Sequence, residues 1–247
     1  MGSTLHFLYS SFISLSLFLS MKIFAFICTR QESLPNYTQK LLSYLGRCKI
    51  ETKLLINKDS IFTAYTEAVQ EISVEDEDIV IFCHDDIDIL MDPQEFVRVL
   101  IRGARKENSG FMGPAGTTHL SESAIWWDHQ LWSQQKHRGF VIHGENIYES
   151  EYTFYGSPGR VVCLDGLFLA IGGKSLKEVD LSKPKHFEGD WDFYDIHYTI
   201  QAHKKGLYNT VEPLFILHRS KGDLVGRDSW HKNRDSFIKA TDLPVIV

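Results

Sequence analysis

The hydrophobic pattern alternates between short apolar runs and longer amphipathic stretches. Lys22 to Cys28 (KIFAFIC) reads as a strand that ends at Thr29-Arg30, ahead of polar Gln31-Glu32-Ser33. Pro35 to Leu45 places Tyr37, Leu41, Leu42 and Leu45 at helical spacing and stops at Gly46. Glu51 to Ile56 reads as a second strand that ends at Asn57-Lys58-Asp59. Ser60 then caps a helix from Ile61 to Ile72, whose apolar positions 61, 62, 65, 68, 69 and 72 follow a 3.6-residue period. Ile79 to Cys83 is apolar without alternation, the pattern of a strand buried on both faces. Asp92 at the cap and Pro93 in the first turn open a helix from Gln94 to Arg105. The resulting β-α-β-α-β-α order predicts an α/β domain with a mostly parallel central sheet and helices on both faces.

Beyond Gly110 the texture changes. A short strand, Gly110 to Met112, meets the turn Gly113-Pro114-Ala115-Gly116. From Thr117 to Pro158 periodicity weakens, and Trp126, Trp127 and Trp132 gather with His129, His137 and His143. This segment reads as irregular or mixed cover over part of the sheet, and its tryptophans as packing or as a sugar platform. Val161 to Leu164 is a further strand, turning at Asp165-Gly166 into Leu167 to Ile171. The acids of Glu188-Gly189-Asp190-Trp191-Asp192-Phe193-Tyr194-Asp195 read as the start of a helix running to about Lys205 and ending at Gly206. Leu207 to Val211 and Leu214 to Leu217 are short strands, the second ending at His218-Arg219-Ser220-Lys221. The tail, with Trp230 and His231, is expected to pack over or close the site.

At 247 residues the chain suits one domain, placed at residues 21–247. Residues 1–20 read as an extension with little structure, Met21 being the working start. A weak leader or anchor is the alternative, although Leu5 to Leu19 is short for a bilayer span and no Lys or Arg precedes it. A net charge of −6 without a basic stripe argues against nucleic acid as the main partner. Four cysteines with no Cys-x-x-Cys pair read as thiols in a reducing, cytoplasmic setting, not a zinc site or a disulfide framework.

The chemistry concentrates at the end of the Ile79 strand, where His84-Asp85-Asp86-Ile87-Asp88 puts three carboxylates in four positions. Carboxyl ends of strands are where open α/β sheets bind ligands. If the strand continues through them, Asp86 and Asp88 share one face. Two close carboxylates repel unless a cation sits between them, and a hard divalent ion suits oxygen ligands. A solvated acidic turn is the other reading. The acids from Glu188 onward are explained in part by the helix dipole.

Three separated signatures, Phe82-Cys83-His84-Asp85-Asp86-Ile87-Asp88, Val162-Cys163-Leu164-Asp165-Gly166-Leu167-Phe168-Leu169 and Trp191-Asp192-Phe193-Tyr194-Asp195-Ile196-His197, come before a late His218. In this order they resemble the inverting, metal-dependent glycosyltransferases of the GT-A fold, in the broad family-2-like group. The resemblance covers Lys22 to Ser220. It implies a nucleotide-sugar donor, first a UDP-sugar with GDP and dTDP open, an acceptor hydroxyl on a glycan or other molecule, and Mn²⁺ or Mg²⁺. On it, Asp88 matches the acid that binds the metal, Asp86 the acid that meets the donor ribose or the metal through water, and His218 the histidine that completes the metal site. Asp195 matches the catalytic base. Tyr194 and His197 stand where the family has acids, so Asp192 is the alternative base. Thr29, Arg30 and Asp59 match the nucleotide-binding loops, and Asp165-Gly166 the turn beside sugar and acceptor. A nucleotidyltransferase would need the same paired acids, but it usually has a glycine-rich phosphate loop where this chain has Thr29-Arg30-Gln31-Glu32. A non-catalytic nucleotide- or sugar-binding module is the third reading.

Overall fold

A computed structural model of the protein describes residues 21–30, 33–220 and 227–247. The expected extension at residues 1–20 lies outside the described residues, as do Gln31, Glu32 and Lys221.

The first half follows the predicted order. β1 (Ile23–Thr29), α1 (Asn36–Arg47), β2 (Glu51–Ile56), α2 (Ile61–Gln70), β3 (Ile79–His84), β4 (Ile87–Ile89) and α3 (Pro93–Ala104) succeed one another. The caps act as read. The Ser60 side chain accepts from Thr63 N at 3.4 Å, and Asp92 accepts from Gln94 N and Glu95 N at 2.9 and 3.3 Å. Next come β5 (Ser109–Gly113), β6 (Ala115–Thr117), β7 (His119–Leu120), β8 (His137–His143), β9 (Glu151–Gly156), β10 (Gly159–Val161), β11 (Cys163–Leu164) and β12 (Phe168–Gly172). The chain closes with α4 (Gly173–Leu176), α5 (Tyr194–Lys204), β13 (Tyr208–Val211), β14 (Ile216–His218), α6 (Asp228–Ala240) and β15 (Val245–Ile246).

A seven-stranded sheet in the order β10-β13-β5-β12-β3-β1-β2 carries the core. β1, β2, β3, β5 and β13 run one way, while β12 is inserted antiparallel between β3 and β5. β1, β3 and β12 are buried along nearly their whole length, which is why their sequences are apolar runs without alternation, and β5 is buried throughout.

A second sheet, β11-β6-β8-β14-β4 with β9 paired to β8, draws its two longest strands from the stretch expected to be irregular or mixed, which is mixed. In β8 (HRGFVIH) buried residues alternate with half-buried ones for most of its length, so the strand period is present but masked by His and Gly at inward positions. Gly139, at φ 104°, is needed there: a Cβ would stand 2.0 Å from the Pro114 carbonyl oxygen. The Val161–Leu164 run is also split. Val162 donates to Thr117 O at 2.8 Å as the chain passes from β10 in the first sheet to β11 in the second.

The helix expected from the Glu188 cluster starts only at Tyr194, because Phe193 adopts a left-handed backbone (φ 71°) just before it. Phe193 is held there by ring contacts to Trp230 and Phe237 of α6, both at 5.5 Å. The tail therefore packs, as one of the two expectations had it. All four cysteines are free thiols, and among the described residues no helix is long and apolar enough to cross a membrane.

Candidate active site

The site forms where β3, β4, β14, the β11–β12 turn and the start of α5 meet. β3 delivers His84 as its last residue. Asp85 and Asp86 follow in a bend, and the chain resumes as β4 at Ile87. β14 lies antiparallel on β4 with His218 opposite Ile87 and Leu217 opposite Asp88. Paired residues share a face and neighbours alternate, so Asp88 and His218 project to opposite sides of this ribbon. The continuous strand that would put Asp86 and Asp88 on one face is absent, because the bend interrupts the alternation between them.

His84, Asp86 and His218 converge instead. His84 Nδ1 is 3.2 Å from His218 Nε2, His218 Nε2 is 3.4 Å from Asp86 Oδ1, and His84 Nδ1 is 3.8 Å from Asp86 Oδ1. These three donor atoms lie within 4.8 Å of one another, a grouping able to hold a metal ion. Burial pushes the Asp86 carboxyl up, but hydrogen bonding to His218 and the charges of His218 and His84 outweigh it and leave its pKa below the usual value. Burial first, and then the neighbouring His218, lower His84 to about 4, so its ring is neutral. Asp88 is taken up otherwise. Arg219 Nη2 donates to Asp88 Oδ2 at 2.6 Å, and the same guanidinium lies 5.2 Å from the centre of the Tyr37 ring.

Asp165 and Asp195 form the second part. Gly166 N donates to Asp195 Oδ2 at 3.0 Å, and Leu167 N donates to Asp165 Oδ1 at 3.2 Å. Burial, and then the charge of Asp165, raise Asp195 to about 7. Burial also raises Asp165, against the opposing pull of His218 and His143. Gly166 leaves no room for a side chain: a Cβ would stand 2.6 Å from Tyr194 Oη and 2.9 Å from Asp195 Cβ. Tyr194 Oη donates to Gly166 O at 2.7 Å and lies 3.2 Å from His84 Nε2. One chain of hydrogen bonds thus runs from His218 through His84, Tyr194 and Gly166 to Asp195.

Asp192 lies elsewhere. Its carboxylate is buried against α6, where Ser229 Oγ donates to Oδ2 at 2.6 Å and Arg227 Nη1 to Oδ1 at 3.4 Å. At the ends of β1 and β2, buried Thr29 bonds the Asp85 carboxyl, and Arg30 stacks 4.7 Å over the Trp191 ring. Trp191 Nε1 donates to Asp59 O at 2.9 Å, so Thr29, Arg30 and Asp59 border one region, with the Asp59 backbone facing Trp191. Among the tryptophans, Trp126 is buried against Trp127 and Tyr155, and Trp127 reaches Trp230, which is packing.

His84 stood inside the first motif without being given a role. The available signal for His84 was its position, two residues before Asp86 at the end of a buried strand.

Residues 27–240 match the family model described as "Glycosyltransferase like family". The chain belongs to this glycosyltransferase-like family. The match takes in both parts of the site and the α/β sheet that carries them. No curated protein matches the chain significantly. Among solved structures, the chain is similar to GalNAc-T7 with UDP, GalNAc and Mn²⁺, at 11% identity and a TM-score of 0.45, over 85% of this chain and 45% of that one. It is also similar to the inositol-1-phosphate CTP transferase from T. maritima, at 10% identity and a TM-score of 0.41, over 87% of this chain and 96% of that one. Within this glycosyltransferase, Asp86 joins a histidine-rich group and Asp165 and Asp195 form a half-buried carboxyl pair, while Asp88 and Asp192 lie apart, with Arg219 and with α6.

Proposed function

We propose that this glycosyltransferase moves a sugar from a nucleoside-diphosphate sugar, UDP-linked in the first instance, to an acceptor hydroxyl with inversion at the anomeric carbon. The reading includes a divalent ion, Mn²⁺ or Mg²⁺. The observation that carries it is the hydrogen-bonded continuity between the His84–Asp86–His218 group and Asp195: one site offers both an ion-holding set and a base.

The donor set offers one carboxylate oxygen, which suits such an ion, and two ring nitrogens, all within 4.8 Å of one another. Bound there, the ion would act as a Lewis acid on the departing diphosphate, a contribution of several kcal/mol. The remaining work belongs to the chain itself. Asp195 accepts the proton of the acceptor hydroxyl, help worth about 10²–10⁴-fold. Its raised pKa suits this role, since a base poised near neutrality is both ionised and basic enough to take a proton. The Gly166 N–H fixes the direction of the Asp195 carboxyl, and Asp165 strengthens its basicity by repulsion. Attack aided by a base on the face opposite the leaving group inverts the sugar. Thr29, Arg30 and Asp59, with Trp191 stacked between the two loops, receive the nucleotide.

Calorimetry with UDP, GDP and dTDP, with and without Mn²⁺, tests the reading, followed by NMR of the product's anomeric configuration. Metal-dependent binding of one diphosphate and an inverted product support it. Binding of none of the three, or a retained anomer, removes it.

A further inference from the structure

We propose that Tyr194 is a positioning residue that fixes the tautomer of His84 and so makes His84 Nδ1 the third ligand atom of the ion site, beside Asp86 and His218. This rests on the metal-dependent reading above and deepens it by assigning a ligand and the group that prepares it.

The argument follows from counting protons. A tyrosine hydroxyl has one proton to give. Tyr194 gives it to Gly166 O at 2.7 Å, and a carbonyl oxygen can only accept. The remaining contact of the hydroxyl, to His84 Nε2 at 3.2 Å, is then one in which the oxygen accepts. His84 carries its proton on Nε2, and its Nδ1 lone pair is left facing His218 Nε2 at 3.2 Å and Asp86 Oδ1 at 3.8 Å. Neighbouring donors on an octahedral ion bound at about 2.1 Å stand about 3 Å apart. The three separations, 3.2, 3.4 and 3.8 Å, are close to that spacing. Without the hydroxyl, the nearby Asp86 carboxylate would draw the proton to Nδ1 and block it. An outer partner that sets which imidazole nitrogen is free is a recurrent feature of metal-binding histidines. The carboxylate suits Mn²⁺ and Mg²⁺, and the two imidazoles suit later first-row ions such as Co²⁺ and Zn²⁺, which serve as probes.

The test begins on the metal-free full chain, labelled with ¹⁵N. Long-range proton–nitrogen correlation distinguishes the two imidazole tautomers, and His84→Gln assigns the signal. The expected result is a neutral His84 protonated at Nε2, with its Nδ1 resonance moving when Zn²⁺ is added. In Tyr194→Phe the ring keeps its contacts to Tyr65 and Tyr198, at 5.9 and 6.0 Å, and only the hydroxyl is lost. His84 should then shift toward the Nδ1-protonated form, and calorimetric affinity for Co²⁺ should fall about 10–100-fold, the usual cost of losing an outer-shell partner. An Nδ1-protonated wild type, an Nδ1 signal unmoved by Zn²⁺, or a Tyr194→Phe protein with wild-type Co²⁺ affinity overturns the proposal. If Tyr194→Phe does not fold, the two wild-type measurements still decide. A protein that releases no sugar from any nucleotide donor, yet shows the Zn²⁺-shifted Nδ1, loses the transfer reading and keeps this one.

Discussion

Asp88 and His218 sit on adjacent antiparallel strands, one residue out of step, and so project to opposite faces of the ribbon they share. Asp88 meets Arg219, while His218 meets Asp86 and His84. The acid beside His84 and His218 is therefore Asp86, while Asp88 bonds the Arg219 guanidinium.

This separates two otherwise similar substitutions. Asp86→Ala is expected to lower Mn²⁺-dependent binding of the nucleoside diphosphate by at least ~100-fold, beyond the usual cost of losing an outer-shell group. Asp88→Asn should lower it less than tenfold. Calorimetry at fixed Mn²⁺ reads both, and equal losses would show that Asp88 also reaches the ion.

The two candidate bases part in the same way. Asp195→Asn should keep nucleotide binding within about twofold and lower turnover about 10²–10⁴-fold. Asp192→Asn should keep turnover but weaken the anchorage of α6, because a buried carboxylate bonded to Ser229 and Arg227 is replaced by an amide. That cost is about 1–3 kcal/mol, or several degrees in thermal unfolding for a chain of this size. Turnover surviving in Asp195→Asn and lost in Asp192→Asn would reverse the assignment.

Asp195 also predicts two pH dependences of opposite sense. Turnover needs the carboxylate, so kcat/KM should rise with pH through about 7. Stability should move the other way. The folded pKa stands above the unfolded value, so between about pH 4 and 7 the folded state binds more protons, and stability attached to this group falls as pH rises. Asp195→Asn should flatten that part of the metal-free stability profile. An acid limb near pH 4 in the rate, with no flattening in the mutant, would place Asp195 outside the chemistry.

Gly166→Ala tests the turn directly. The new methyl would press on Tyr194 Oη and Asp195 Cβ, at 2.6 and 2.9 Å. Overpacking of this kind costs about 1–3 kcal/mol, and a displaced base costs on the order of 10²-fold in turnover. Thermal unfolding and single-turnover rates measure the two effects separately. Wild-type values in both would mean that the turn yields freely.

The sequence alone determined the elements whose signature is unambiguous: the apolar runs of β1, β3 and β12, and the helices α1 to α3, with caps at Ser60 and Asp92. Burial on both faces leaves a continuous apolar signature, and a cap leaves a polar residue at a fixed offset, so both can be read locally. The motif acids were legible as well, because chemistry demands a few residue types in a few places. Tertiary structure decided how those acids are shared out. A bend of two residues put Asp86 and Asp88 on different faces, and the pairing of β4 with β14 gave one acid to Arg219 and the other to His218. The left-handed turn at Phe193, held by rings from α6, delayed the helix so that Asp195 heads it while Asp192 anchors the tail. Such choices depend on strand register and on contacts between residues far apart in the chain, and no local pattern of hydrophobic and polar positions encodes them.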